Sequence, residues 1–231
     1  MTRRLTAALL IAAAVLTNVA FLALGSVFDY PDVLAEPAGE ILARFRASQT
    51  TVVTWFTVLA LSAALFAPIA LGVGRLSRHP AMRAAVPVGV AAAVVQVAGL
   101  ARWPVLVPGY AARDDRAAFT TAHHLLGTLL GETVGYTLTA AWTVLVLIAL
   151  YRSLAGRWFT VLGGTSAALI LSGVLIPLGV PGTDMANLLG YILWSLWLVA
   201  FAVVLLRRPR RFSWREPVDR SRSVDNSEAR A

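Results

Sequence analysis

The chain has 231 residues, 58% hydrophobic and only 14% charged, with a net charge of +8 and no cysteine. Soluble domains carry roughly 25% charged residues, so a wholly water-facing surface is excluded and lipid must solvate much of the molecule. The absence of cysteine excludes a disulfide framework and a thiolate metal site.

A helix crossing about 30 Å of hydrocarbon at 1.5 Å per residue needs about 20 apolar residues. Six segments meet that need: 5–25, 51–74, 84–107, 118–150, 158–178 and 186–206. Irregular backbone cannot face lipid, so the expected fold is all-α, a polytopic bundle of six transmembrane helices over 1–206. The first span follows Arg3 and Arg4 and could also serve as a secretory signal, with Ala23-Leu24-Gly25 as a fair cleavage site. It is kept here as a helix. After it, the stretch Pro37-Ala-Gly-Glu-Ile-Leu-Ala-Arg-Phe-Arg places Ile41, Leu42 and Phe45 on one helical face, with Glu40 and Arg44 four residues apart. That pattern predicts a short amphipathic helix lying on the outer surface, better suited to a lid than to a substrate gate.

Arginine placement orients the bundle. One set of loops holds Arg3, Arg4, Arg75, Arg78, Arg83, Arg152, Arg157 and the tail cluster from Arg207 to Arg215. The opposite loops hold Arg44, Arg46, Arg113 and Arg116 among Asp29, Asp32, Glu36, Glu40, Asp114, Asp115 and Asp184. The positive-inside rule therefore places both termini in the cytoplasm. The basic residues are all arginine and alanine is abundant, a bias that points to a high-GC bacterial genome and hence to a bacterial cell membrane. The tail from Arg207 to Ala231 reads as a basic anchor on anionic headgroups followed by a disordered polar stretch. Its charge belongs to the membrane and implies no nucleic-acid partner.

An internal echo runs through the second half. Pro104-Val-Leu-Val-Pro-Gly109 closes the third span and Pro177-Leu-Gly-Val-Pro-Gly182 the fifth. Gly135-Tyr136-x-Leu138-x-x-x-Trp142 recurs as Gly190-Tyr191-x-Leu193-x-x-x-Trp197. Spans three-four and five-six thus read as two copies of one hairpin, a known way to build membrane bundles.

Polar residues concentrate in the outer half. Counting from the cytoplasmic ends places Arg102, Glu132, Asp184 and Asn187 near the outer edge of the apolar slab, with Asn18 and Gln96 deeper. Ionisable groups there cost several kcal/mol unless paired or wet. Arg102 and Glu132, at matched depth, are natural partners, either as a structural lock or as a pair that also binds something. In the fourth span Thr121, Thr128, Glu132, Tyr136, Thr139 and Thr143 form one polar stripe, with His124 two turns outside Glu132. Beside it runs Gly127-x-x-x-Gly131-x-x-x-Gly135, a small-residue ridge for close helix packing.

The candidate ligand-binding residues are Arg102, His124, Glu132, Tyr136, Asp184 and Asn187. His123 and His124 are adjacent and point about 100° apart, so they do not chelate one metal as zinc helices do. No metal, haem or other cofactor is expected, and no catalytic set with a nucleophile motif or phosphate loop is found. The favoured reading is a protein binding or sensing a lipid-like or small ligand in an outward-facing polar pocket. A scaffold or accessory subunit is the alternative. A transporter or an interfacial enzyme ranks lower, although Pro68 and Pro87 could break the inner parts of spans two and three. Expected partners are membrane lipid, with another membrane protein or a second copy of the chain as further candidates.

The loop Phe28-Asp-Tyr-Pro-Asp-Val-Leu, the helix after Pro37, Trp55, the Arg102-Trp103-Pro104 end and the run Leu189-Gly-Tyr-Ile-Leu-Trp-Ser-Leu-Trp carry a likeness. The chain resembles the domain-of-unknown-function family 4386 over most of residues 5–208. The resemblance implies a membrane fold of six or seven helices and transfers no site residue.

Overall fold

The computed structural model describes residues 1–151 and 156–207. The tail 208–231, expected to be a basic anchor followed by a disordered polar stretch, and Arg152 lie outside the described residues. The described residues are helical with no strand. Six helices are long and apolar enough to cross a membrane: Arg3–Phe28, Gln49–Gly74, Pro80–Arg113, Arg116–Leu150, Arg157–Leu178 and Thr183–Arg207.

The first span is one helix, α1 (Arg3–Phe28), opened by the Thr2 hydroxyl accepting the Leu5 N–H at 3.2 Å. It stops at Asp29, whose left-handed backbone (φ 56°) turns its N–H back to the Gly25 carbonyl. A hydroxyl cap and a left-handed exit both satisfy groups that a helix end leaves orphaned. The amphipathic helix follows as α2 (Ala38–Ala47), with Ile41, Leu42 and Phe45 buried as the pattern predicted. Glu40 and Arg44 do not pair; Arg44 instead reaches Asp29 at 3.3 Å, because the reversed turn at Asp29 brings that carboxylate beneath α2.

The second span is broken into α3 (Gln49–Ala64) and α4 (Phe66–Gly74). Pro68 lies in the first turn of α4, and its missing N–H leaves the Ala64 carbonyl without its usual donor, which accounts for a break just there. The third span joins α5 (Pro80–Val105) to α6 (Val107–Arg113). Here the echo departs from expectation. Pro104 to Gly109 does not close the span, because Pro108 falls in the first turn of α6, where its missing N–H costs nothing. The matching stretch at Pro177 does end its span, as a 3-10 turn (Gly173–Leu178) followed by Gly179 and Gly182 at φ 71° and 79°.

The fourth span comprises α7 (Arg116–Ala122), a π-helical segment His123–Val134 and α8 (Gly135–Leu150). The wider winding shows in i→i+5 bonds: Gly135 N–H donates to the Leu130 carbonyl, and the Thr133 hydroxyl to Thr128 at 2.9 Å. The fifth and sixth spans are built on α9 (Arg157–Ser172) and α10 (Thr183–Arg207).

Packing follows chain order and then closes. Helix α1 lies against α3 and α10, α3 and α4 against α5, α5 against α8 and the π segment, α8 against α9, and α9 against α10. The result is a ring of six spans. Hydrogen bonds tie neighbouring spans through Thr17 to Ser62 at 2.7 Å, Asn18 to Ser195 at 2.9 Å and Gln96 to Thr139 at 2.6 Å, and the Trp194 indole reaches across the ring to Thr143 at 2.9 Å. Such bonds average about 0.6 kcal/mol each between membrane helices, so they set rotation more than they hold the bundle.

The repeated motif positions match in three dimensions. The Trp142 indole fits against Gly89 on α5, and the Trp197 indole against Gly163 on α9. Gly135 backs onto Gln96 and Val95 of α5, and Gly190 onto the Ile170 and Leu169 backbone of α9. Each tryptophan and each glycine therefore packs on the first helix of its own hairpin. Across the bundle, Trp142 meets Trp197 with ring centroids 6.0 Å apart, and Tyr136 meets Tyr191 at 5.7 Å.

Two apolar cores result. One, around Phe66, Trp142, Trp197 and Phe201, fills the end of the bundle carrying the Arg3–Arg4 start of α1. The other, around Phe28, Phe45, Phe56, Trp103 and Phe119, seats α2 as a lid on the opposite end. The lid is also latched from its far edge. Arg46 donates to the Ala111 carbonyl at 2.9 Å and meets Asp114 at 3.2 Å, and Asp114 in turn holds Arg116 at 2.9 Å. The Arg116 hydrogen bond, with help from Arg46, keeps the exposed Asp114 carboxyl below the usual carboxylate range.

Candidate functional site

Between the lid and the tryptophan layer, polar side chains from four parts of the chain come together. Arg102 near the end of α5 is only 5% exposed. Its guanidinium lies flat across Gly127 of the π segment, where a β-carbon would come within 2.7 Å of Nη2. Nη1 donates to the Gly99 carbonyl at 2.6 Å, Nη2 meets His123 Nδ1 at 3.4 Å, and Nε has no partner. The Trp103 ring lies 5.4 Å from the guanidinium carbon.

Arg102 and Glu132 are electrostatic neighbours, yet no ion pair joins them among the described residues. The backbone explains the separation. Gly131 of the π segment presses onto Gly99 so closely that a β-carbon at Gly99 would lie 2.8 Å from the Gly131 α-carbon. That contact fixes the two helices before their side chains can choose partners. The Glu132 carboxylate is half-buried and has no hydrogen-bond partner among the described residues. Its oxygens are not among the buried polar atoms sealed from water-sized space. Burying a charge without a partner is costly, so this is a site held against its own folding interest.

Tyrosines complete the cluster. Tyr136, four residues beyond Glu132, packs with Asn187 against Gly173 and edge-on against Tyr191. Asn187 is buried and donates to the Ile170 carbonyl at 2.8 Å, which commits it to joining α9 and α10. Tyr30 enters from the turn after α1, half-buried between Phe21 and Phe56 with ring centroids at 5.6 and 5.2 Å. Phe56 stacks on Trp103 at 4.6 Å, so the lid core leads continuously from Tyr30 to Arg102.

Burial pushes the Tyr30 phenol up to about 12, with Glu132 adding to the rise and Arg102 opposing it. The folded protein thus holds this proton more tightly than the unfolded chain does. The stabilising effect is whole below pH 10.0 and is lost as pH rises toward about 12. In an alkaline titration followed by tyrosinate absorbance, Tyr30→Phe is expected to remove one late-ionising phenol. A trace unchanged by the substitution would contradict the burial of this group.

Of the six residues singled out from the sequence, Arg102, Glu132, Tyr136 and Asn187 gather here. Asp184 is exposed at the start of α10, and His124 is exposed on the fourth span. His123 takes the place expected of His124, since the π winding uses more residues per turn and shifts which position returns toward Arg102. The same change of winding puts Thr121 outside the stripe: it is exposed and bonds only to its own turn at Ala117. Tyr30 and Tyr191 were not foreseen. Tyr191 could have been, because it is the echo of Tyr136.

Among the described residues no group of three His, Asp or Glu side chains could hold a metal ion. Glu132 and Tyr136 could exchange protons with a bound molecule, but no activated nucleophile stands beside them. The arrangement suits recognition through paired charge, hydroxyl groups and aromatic faces. No curated protein and no solved structure matches the chain. The model of the Domain of unknown function (DUF4386) family matches residues 5–208, and this chain, an integral membrane protein of six apolar helices, belongs to that family.

Proposed function

We propose that the polar cluster beneath α2 lines a chamber in which this protein binds or senses a small or lipid-like ligand, and that the chamber faces outward from a bacterial cell membrane. The observation that carries the reading is a buried Arg102 and a half-buried Glu132 that are electrostatic neighbours without pairing among the described residues. A scaffold gains nothing from two unpaired ions, whereas a binding site needs its charges free until the ligand arrives. The apolar layer of Phe66, Trp142, Trp194 and Trp197 favours a chamber open at one end over a route through both leaflets. It lies directly against the break in the second span, where a transport path would run. The positive-inside distribution of arginine supports the orientation, with both termini cytoplasmic.

Two experiments test this. A reporter enzyme fused after Arg208 is expected to be active only as a cytoplasmic fusion; periplasmic activity would invert the chamber. Purified protein screened by thermal unfolding in detergent against a lipid and metabolite panel should reveal compounds that raise the midpoint. Glu132→Gln should blunt that rise more than it changes the unliganded midpoint. Equal change with and without every compound would make the cluster structural.

A further inference from the structure

The chamber presents two charges of opposite sign that do not neutralise each other. At the Arg102 side, Nη1 is committed to Gly99 and Nη2 meets His123 only at 3.4 Å, so Nη2 retains capacity for an anionic oxygen. On the Glu132 side, the carboxylate has no donor among the described residues and is an electrostatic neighbour of Tyr136 and Tyr191, whose rings meet edge-on. Tyrosine faces and a carboxylate together attract an ammonium group. A simple anion would satisfy Arg102 while repelling Glu132, and a simple cation would do the reverse. An uncharged ligand would leave both buried charges as costly as before.

We propose that the chamber takes a zwitterion, its ammonium at Glu132 among the tyrosines and its phosphate or carboxylate group at Arg102. This rests on the chamber being a ligand site. The hydroxyls of Tyr30 and Tyr136 make no hydrogen bond to the described residues and are available to the same ligand. The Gly127 position, which gives the guanidinium its room, and the Gly99–Gly131 contact, which holds Glu132 away from it, are what keep the two charges apart. The same chemistry belongs to a phosphatidylethanolamine headgroup and to free phosphoethanolamine, and either source fits a chamber that opens near the headgroup level.

The test uses the full purified chain. Calorimetry in detergent compares phosphoethanolamine with ethanolamine alone and inorganic phosphate alone. Nanodiscs containing phosphatidylethanolamine are compared with phosphatidylglycerol ones by thermal unfolding. Phosphoethanolamine is expected to bind about tenfold or more tightly than either half, since each half forfeits one charged hydrogen-bond partner. Glu132→Gln should reduce it to the level that phosphate shows in the same variant, while phosphate itself, freed of the Glu132 repulsion, binds the variant at least as tightly as the natural protein. A response confined to phosphatidylethanolamine nanodiscs would identify the lipid as the source, and a response to the soluble compound the free metabolite. Either half binding as tightly as the whole overturns the zwitterion while leaving the chamber a binding site. Failure of every probe, in detergent and nanodisc alike, also overturns it, and the broader panel screen then decides separately whether the chamber binds anything.

Discussion

Gly99→Ala is expected to destabilise the protein by about 1–3 kcal/mol or more, the usual range for forcing atoms into a filled contact. A β-carbon there would lie 2.8 Å from the Gly131 α-carbon and 2.9 Å from the Leu126 carbonyl. Both are backbone atoms, which cannot swing aside as a side chain would. The clash must also outweigh the roughly 0.8–1 kcal/mol by which alanine is the better helix former. Gly131→Ala should be milder, since its nearest neighbours are at 3.1 and 3.3 Å. Gly164→Ala, whose β-carbon meets nothing within 4 Å, should be neutral or stabilising. Thermal unfolding in detergent, followed by tryptophan fluorescence, tests the order. If Gly99→Ala unfolds at the temperature of Gly164→Ala, the two helices do not touch as described. Because the contact belongs to the π segment, Gly99→Ala should also impair any ligand response that depends on Glu132.

The large features of this fold are written in composition, because a helix in lipid has few alternatives. The six spans, the lid face of Ile41, Leu42 and Phe45, the glycine ridge and the Gly-Tyr…Trp part of the hairpin echo appear where simple periodicity places them, whereas Pro104 to Gly109 does not close its span. What was illegible depends on contacts between distant residues. Nothing in residues 123–134 signals i→i+5 winding, which goes with Gly131 meeting Gly99 and Gly127 meeting Arg102 in another helix. That single change of winding exchanges His124 for His123 and removes Thr121 from the stripe. The same contact holds Glu132 away from the arginine that depth counting had matched to it. Arg44 reaches Asp29 for a related reason, since i,i+4 spacing to Glu40 knows nothing of a reversed turn at Asp29. Tyr30 was missed because loop residues carry no period, so only the folded turn reveals which one enters the bundle.

Arg102→Met separates the two roles that a buried arginine can have. If the guanidinium were a structural pin, its loss would unfold the outer half, because breaking a paired buried charge costs about 3–5 kcal/mol. The geometry argues for the opposite result. Arg102 has no carboxylate partner, one unpaired nitrogen, and a single short bond that returns to its own helix at Gly99. Methionine keeps the unbranched stem and removes the charge. The unliganded protein is therefore expected to be as stable as the natural one, or more stable by about 1–4 kcal/mol, the range seen when buried ions give way to apolar groups. The stabilisation produced by any anionic or zwitterionic ligand should disappear with it. Glu132 would then face the chamber without its opposite charge, so the double substitution Arg102→Met, Glu132→Gln should restore any stability lost to that imbalance. A guanidinium retained at such expense is explained by what it meets when the chamber is filled. A single variant that melts far below the natural protein and is not rescued by the second change would place Arg102 among the supports of the bundle.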